Sequence, residues 1–267
     1  MATSASTNAD AVLEYFDRTA DGYAEAYTRG TNSGYSFRIR KQRVLELFDK
    51  PGGKVLDVGC GPGVIVDELV HGAGCEFWGV DVSPLMIDAA TQRFRTYPRT
   101  HFVVGGVTPL DFPAETFDAV IAMGLLEYLD DPELVAREMY RVLKPGGTLI
   151  VTVPNAQAPY RIWATHVWQP TLRRLSFLKR WLPALERLIS PVAHRQFRYA
   201  THREVYASLG GYVEDVVYYN IKLLPAPLDL VLRSVQHRIN APLERLGRSR
   251  LGVLGTGFIV KVRKPGA

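Results

Sequence analysis

The run Val55-Leu56-Asp57-Val58-Gly59-Cys60-Gly61-Pro62-Gly63 constrains this chain more than any other stretch. An apolar segment ends in an acid, and glycines then alternate. This is the pattern of a buried strand passing through a tight turn into a helix, with glycine where a side chain would hold the backbone away from a ligand. Such turns hold nucleotide-like cofactors. The spacing departs from the dinucleotide fingerprint G-x-G-x-x-G, whose third glycine would fall on Val64. Asp57 points the same way. A pyrophosphate at the following helix N-terminus would be repelled by a carboxylate at the strand end. A cofactor carrying a sulfonium and an ammonium, and no phosphate, would not be. A second acid, Asp81, ends the apolar run Phe77-Trp78-Gly79-Val80. It lies about one β–α unit downstream, where a carboxylate accepts both ribose hydroxyls.

Helical spacing is expected over 10–29, through Val12, Tyr15, Phe16, Tyr23 and Tyr27, and over 36–49, through Phe37, Val44, Leu45 and Phe48. Further helices are expected at 63–71, at 84–95 behind the cap Ser83 and Pro84, after Asp130-Asp131-Pro132-Glu133, and at 201–209. Strands are expected near 55–58, 76–81, 101–104, 117–122, 148–153, 212–220 and 257–263. The alternation predicts an α/β chain with a Rossmann-like, mostly parallel sheet of seven strands.

At these residues the chain resembles the class I S-adenosylmethionine (SAM)-dependent methyltransferases, specifically the group acting on small molecules and lipids. Val55–Gly63 matches the first motif of that family, and Gly79-Val80-Asp81-Val82-Ser83 the acidic end of its second strand. Phe117–Met123 with Leu125-Leu126-Glu127-Tyr128-Leu129 resembles its fourth strand and the loop after it. Leu143-Lys144-Pro145-Gly146-Gly147-Thr148-Leu149 resembles the turn into its fifth. The resemblance covers roughly 10–155 well and the rest in outline. It implies an N-terminal helical cap (1–50) on a SAM-binding domain (51–267), with helical insertions at about 155–200, after the fifth strand, and 222–253.

The resemblance also implies site residues. Gly59, Cys60 and Gly61 approach the amino-acid part of SAM, Asp57 orders the turn, and Asp81 takes the ribose. Val82 and Met86 lie against the adenine, and Met123 ends the fourth strand beside the cofactor. Where relatives often carry Gly-Asp after the third strand, this chain reads Val104-Gly105-Gly106-Val107-Thr108. Backbone groups at Gly106 and Val107, or the Thr108 hydroxyl, are then expected in place of the acid. Tyr23 and Tyr27 lie on a helix like the one that closes over the cofactor. Arg40 stands about where relatives hold the cofactor carboxylate, with Arg38 and Arg43 as rivals. Tyr128 replaces a histidine common in relatives, so no neutral-pH base is expected there. The weak catalytic candidates are Tyr23, Tyr128, His166 and His194, with His202 behind them. The expected reaction is methyl transfer from SAM to an acceptor O, N or C nucleophile, leaving S-adenosylhomocysteine.

Charge is uneven. The chain carries a formal +5, yet residues 155–200 hold eight Lys or Arg against the single acid Glu186, and three of the four tryptophans. Leucines recur at helical spacing over 171–189, and apolar residues likewise over 228–239. Three readings stay open: a lid over a bulky hydrophobic or lipid-like acceptor, a surface resting on an anionic bilayer, and a dimer interface. An RNA methyltransferase using Arg173, Arg174 and Lys179, and a non-catalytic SAM-binding subunit, are the competing functions. Nucleic acid is disfavoured because the spacing is amphipathic rather than a charged groove. Only Cys60 and Cys75 occur, no Cys/His cluster has metal-ligand spacing, and no secretory leader pattern opens the sequence. A cytoplasmic protein, with peripheral membrane contact through 155–200, is the expectation.

Overall fold

A computed structural model of the chain describes residues 6–174, 212–225 and 228–266. Seven strands form one sheet in the order β3-β2-β1-β4-β5-β7-β6. They are β1 (Lys54–Val58), β2 (Glu76–Asp81), β3 (Thr100–Val104), β4 (Phe117–Met123), β5 (Leu143–Pro154), β6 (Tyr212–Ile221) and β7 (Gly255–Arg263). β1 to β5 pair in parallel, and β7 runs antiparallel between β5 and β6. Strand order reverses between β1 and β4. In open α/β sheets that switch point is where a crevice forms beyond the strand C-termini.

The strands read as continuous apolar runs because both faces of the sheet are covered. Alternate residues go to opposite sides. Val55, Ile121, Ile150 and Ile259 pack with Val44 and Leu47 of α2 (Asn32–Leu47) and Ile87 of α3 (Pro84–Arg93). Leu56, Val58, Val120, Leu149 and Val260 pack against Val135, Ala136, Met139 and Val142 of α4 (Pro132–Val142). Asp57 follows the period of Val55 and so faces the α2 side.

Caps set the helix starts. Thr31 accepts from Gly34 N at 3.0 Å to open α2, and Asp131 accepts from Leu134 N at 3.0 Å to open α4, with Pro132 in its first turn. The N-terminal helix α1 (Ser6–Ala26) lies against α3, tied through the Asp17 carboxylate, which accepts from the Ser83 hydroxyl.

Two local expectations are corrected. The helix expected at 63–71 is a wide π-type turn over Glu68–Gly72, closed by Ala73 N to Glu68 O at 3.0 Å. Gly63 has φ of 71°, outside the helical range, so winding starts later. The fifth strand begins at Leu143 rather than 148. The Pro-Gly-Gly stop is absorbed into the ladder because Gly146 N and Gly147 O bond across to Lys264, each at 3.0 Å.

After β5 the chain forms α5 (Pro159–Trp163), a π-type turn (Ala164–Trp168) and α6 (Gln169–Arg174). Between β6 and β7 it forms short helices at Leu228–Val231 and Arg233–Leu243, then two 3-10 turns. The helix expected at 201–209 and most of the 171–189 pattern lie outside the described residues. No described helix is long and apolar enough to cross a membrane.

Candidate active site

The glycine turn leaves β1 and folds back on β2. Gly59 N and Cys60 N donate to Val80 O at 2.8 and 3.1 Å. The Asp81 carboxylate sits at the centre of this junction. Gly61 N donates to its Oδ2 at 2.8 Å and Ser83 N to its Oδ1 at 3.0 Å. Ser83 then caps α3 by accepting from Met86 N at 3.1 Å. Gly61 has φ of 50°, and a Cβ there would project to 3.9 Å from both Met86 Sδ and Tyr23 Cε1. The turn therefore keeps open a slot that a side chain would fill.

That slot is part of a cleft of about 390 Å³ at the switch point. Its walls include Tyr23, Asp57, Gly59, Cys60, Gly61, Asp81, Val82, Met86, Gly106, Val107 and Met123, eleven of the twelve cofactor residues expected from sequence. Thr108, the expected substitute for an acid after β3, lines it too, as do Asp130 and Asp131 at the mouth of α4. The size suits a nucleoside cofactor.

Asp57 is buried and its Oδ1 has no hydrogen-bond partner. Burial pushes its pKa up to about 7, the nearby Asp81 adds to the rise, and Arg40 opposes it. Burial also raises Asp81, against the pull of its backbone donors. Two carboxylates beside a cleft, one with an orphaned oxygen, fit a cationic ligand without phosphate. These residues fit SAM, and no metal-binding cluster occurs among the described residues.

A second cavity, about 520 Å³, adjoins the cleft. Phe16, Tyr23, Gly124 and Tyr128 line both spaces. The rings form a wall: Phe16 meets Tyr128 edge-on at 5.1 Å between centroids, and Tyr23 at 6.1 Å. Arg40 is placed in this second cavity rather than in the cleft. It lies on the buried face of α2, in step with Val44 and Leu47. Its Nη2 donates to Tyr27 Oη at 3.1 Å, its guanidinium lies over Phe37 at 5.2 Å, and its Nε has no partner. Gly124, with φ of 77°, is required here: a Cβ would come within 2.4 Å of Arg40 Nη1.

Arg38 instead donates to the backbone oxygens of Tyr27 and Arg29, and Arg43 to Glu46 and to Glu244 O. Tyr23 and Tyr128 reach both spaces, but burial raises both phenols well above their ordinary range, so they stay protonated at neutral pH. His166 is exposed on the turn after α5 and lines neither space. His194, His202 and Lys179 lie outside the described residues, as does the Arg173 side chain.

Sequence reasoning did not single out four contributors to the site. Glu127 is buried in the wall of the second cavity with Oε2 unpartnered. Tyr219 on β6 and Arg161 on α5 also line it. Asp17 anchors α1 over the cleft. Of these, Glu127 alone carried a signal, its place directly before Tyr128; the others meet the site only through folding.

Residues 56–151 match the model of a family described as a methyltransferase domain. The demethylmenaquinone methyltransferase of Lysinibacillus sphaericus is 33% identical over 161 residues, 58% of this chain and 66% of that enzyme. The 2-methyl-6-phytyl-1,4-hydroquinone methyltransferase of Synechocystis is 33% identical over 135 residues, 49% of this chain and 41% of that enzyme. The chain thus spans less than two thirds of these relatives' lengths. A solved structure of Haemonchus contortus phosphoethanolamine N-methyltransferase 2, complexed with phosphomonomethylethanolamine and S-adenosylhomocysteine, superposes with a TM-score of 0.60 at 19% identity. That match covers 95% of this chain and 60% of the other. The family match runs from the glycine turn through β4 and most of β5, so residues 56–151 of this chain are a methyltransferase domain.

Proposed function

We propose that the chain transfers a methyl group from SAM to a small-molecule acceptor, bulky and hydrophobic or lipid-like, and releases S-adenosylhomocysteine. The observation that carries this reading is the pairing of two spaces across one aromatic wall. One holds Asp81 with each oxygen pinned by a backbone N–H and a lone pair left for a ribose hydroxyl. The other is a separate room for an acceptor. In this reading Asp81 holds the ribose, and Val82 and Met86 flank the adenine. The backbone at Gly106 and Val107 meets its edge. Gly59, Cys60, Gly61 and Asp57 receive the amino-acid end, and Met123 closes the strand side. When bound, SAM supplies an electrophilic methyl on a positively charged sulfur, so holding the acceptor in line accounts for much of the rate.

Relatives named for quinones and hydroquinones support a large apolar acceptor. So does the exposure of Ile162, Trp163 and Val167 just after β5, an apolar set that suits a lipid surface or a hydrophobic acceptor's approach. Sedimentation with anionic vesicles tests the surface role. Loss of binding in Trp163→Ala supports it, and no binding by wild type removes it.

The experiment for the main reading is calorimetric titration of the protein with S-adenosylhomocysteine and, separately, NAD. Micromolar binding of the first alone is expected. Binding of neither would refute the cofactor assignment and the activity with it.

A further inference from the structure

The second cavity contains, among its described walls, one group able to accept a proton at neutral pH. Among its described walls the guanidiniums of Arg18, Arg29, Arg40 and Arg161 are permanently charged, and no histidine takes part. Its tyrosines Tyr23, Tyr128 and Tyr219 are all held above the ordinary phenol range, chiefly by desolvation. Glu127 is the sole carboxylate among the described walls. It is 7% exposed, and its Oε2 has no hydrogen-bond partner. An unpartnered carboxylate oxygen at that depth costs free energy unless a ligand donates to it.

Across the same cavity Arg40 is 8% exposed, and its buried Nε has no partner. No contact within ion-pair distance joins the two residues, so neither satisfies the other. The walls between them are rings: Phe16, Tyr23, Phe37 and Tyr128. A ligand that satisfies all of these is a planar ring carrying an O–H directed at Glu127 and an oxygen in the field of Arg40.

We propose that the second cavity binds a hydroxylated aromatic ring and that Glu127 Oε2 takes the proton of its hydroxyl. The O–H bond breaks, its electron pair stays on the ring oxygen, and the proton moves to the carboxylate. The resulting oxyanion is stabilised by Arg40, with Arg161 as the second cation facing the pair. The groups facing Glu127 are Arg40 from α2, Arg161 from α5, Tyr219 from β6, and Tyr23 and Tyr128 from the ring wall. Burial raises the Glu127 pKa while both arginines pull it back, which suits a carboxylate that must gain and later lose a proton. This assignment rests on the methyltransferase reading for its purpose, although not for its chemistry.

The test uses 4-nitrocatechol, whose absorbance distinguishes phenol from phenolate. It is titrated into wild type and Glu127→Gln, with and without S-adenosylhomocysteine, at a pH just below the dye's own first ionisation. Calorimetry in two buffers counts the protons released. Wild type is expected to bind the dye saturably as phenolate while releasing almost no proton, because Glu127 keeps it. In Glu127→Gln any bound phenolate is expected to release about one proton to the buffer. Glutamine has the same shape and removes a buried charge, so the variant should fold, and an unchanged affinity for S-adenosylhomocysteine checks this. Absence of saturable dye binding, a protonated bound dye in wild type, or equal proton release by both proteins overturns the proposal. Failure of wild type to bind S-adenosylhomocysteine would instead count against the methyltransferase reading.

Discussion

The two spaces of this site are built in different ways. The cleft is assembled mainly from strand ends and the turns directly after them, so most of its residues fall in the short runs 57–64, 81–86, 106–108 and 123–135, with Val12, Phe16, Tyr23 and Tyr27 closing over them. The second cavity is gathered from α1, α2, the loop after β4, the end of β5, α5 and β6, elements spread from Tyr15 to Tyr219. The cleft is held mainly by backbone donors, and the cavity by side chains meeting across long sequence distances. The first arrangement tolerates change outside its motifs. The second can be remodelled by substitutions in any of these elements.

The sharpest way to break this contrast is Asp81→Ala. It removes the cleft's central acceptor and leaves Gly61 N and Ser83 N unpaired. Binding of S-adenosylhomocysteine should weaken by ~100-fold, about 3 kcal/mol, measured by calorimetry. Wild-type affinity in the variant would show that the cleft is not organised around this carboxylate.

Asp57 offers the next test. Its folded pKa is about 7, above the ordinary carboxylate value, because burial disfavours its charge. The folded protein therefore holds a proton that the unfolded chain has lost. Stability should fall as pH rises from the ordinary carboxylate range to about 7, by at most ~1.4 kcal/mol per pH unit, and level off above. Denaturant melts across that window should show the slope in wild type and a flatter profile in Asp57→Asn. A cationic ligand in the cleft should favour the carboxylate and release a proton on binding, an effect the asparagine variant lacks.

Tyr27 lines the cleft and reaches across to Arg40 of the cavity; Tyr27→Phe deletes the hydroxyl that receives the Arg40 Nη2 hydrogen bond. A loss of about 1 kcal/mol in denaturant stability is expected. Affinity for S-adenosylhomocysteine should hold within a few fold, because Arg40 belongs to the other space. A large loss of cofactor affinity would move Arg40 back to the cofactor. The smallest effect is expected for His166→Ala. With His166 exposed and outside both spaces, stability should change by less than about 0.5 kcal/mol and ligand binding not at all.

The cleft was legible because its chemistry is local. A glycine that must bare the backbone, an acid at a strand end and a serine cap announce themselves within a few residues, and eleven of the twelve expected cofactor residues line it. Arg40 shows where that reading stopped. Its place on α2 was foreseen, but the space it enters depends on Gly124 approaching from β4, about eighty residues away. Glu127 was visible only as the partner of a missing histidine. Its burial and unpartnered oxygen depend on α1, α2 and β6 closing around it. The π-type turn at Glu68–Gly72 was missed because helical periodicity does not register one extra residue in a turn.

Strand alternation, the motif order and the acids at strand ends are written in the chain itself, because period and turn chemistry act between near neighbours. They determined an α/β sheet with a nucleoside cleft at its switch point. What lies across the aromatic wall was decided only when α1 docked through Asp17 and Ser83 and β6 joined the far edge of the sheet. Contacts between residues far apart in sequence leave no local pattern, so the second cavity, with Glu127 and Arg40 both on its walls and not paired to each other, belongs to the tertiary structure alone.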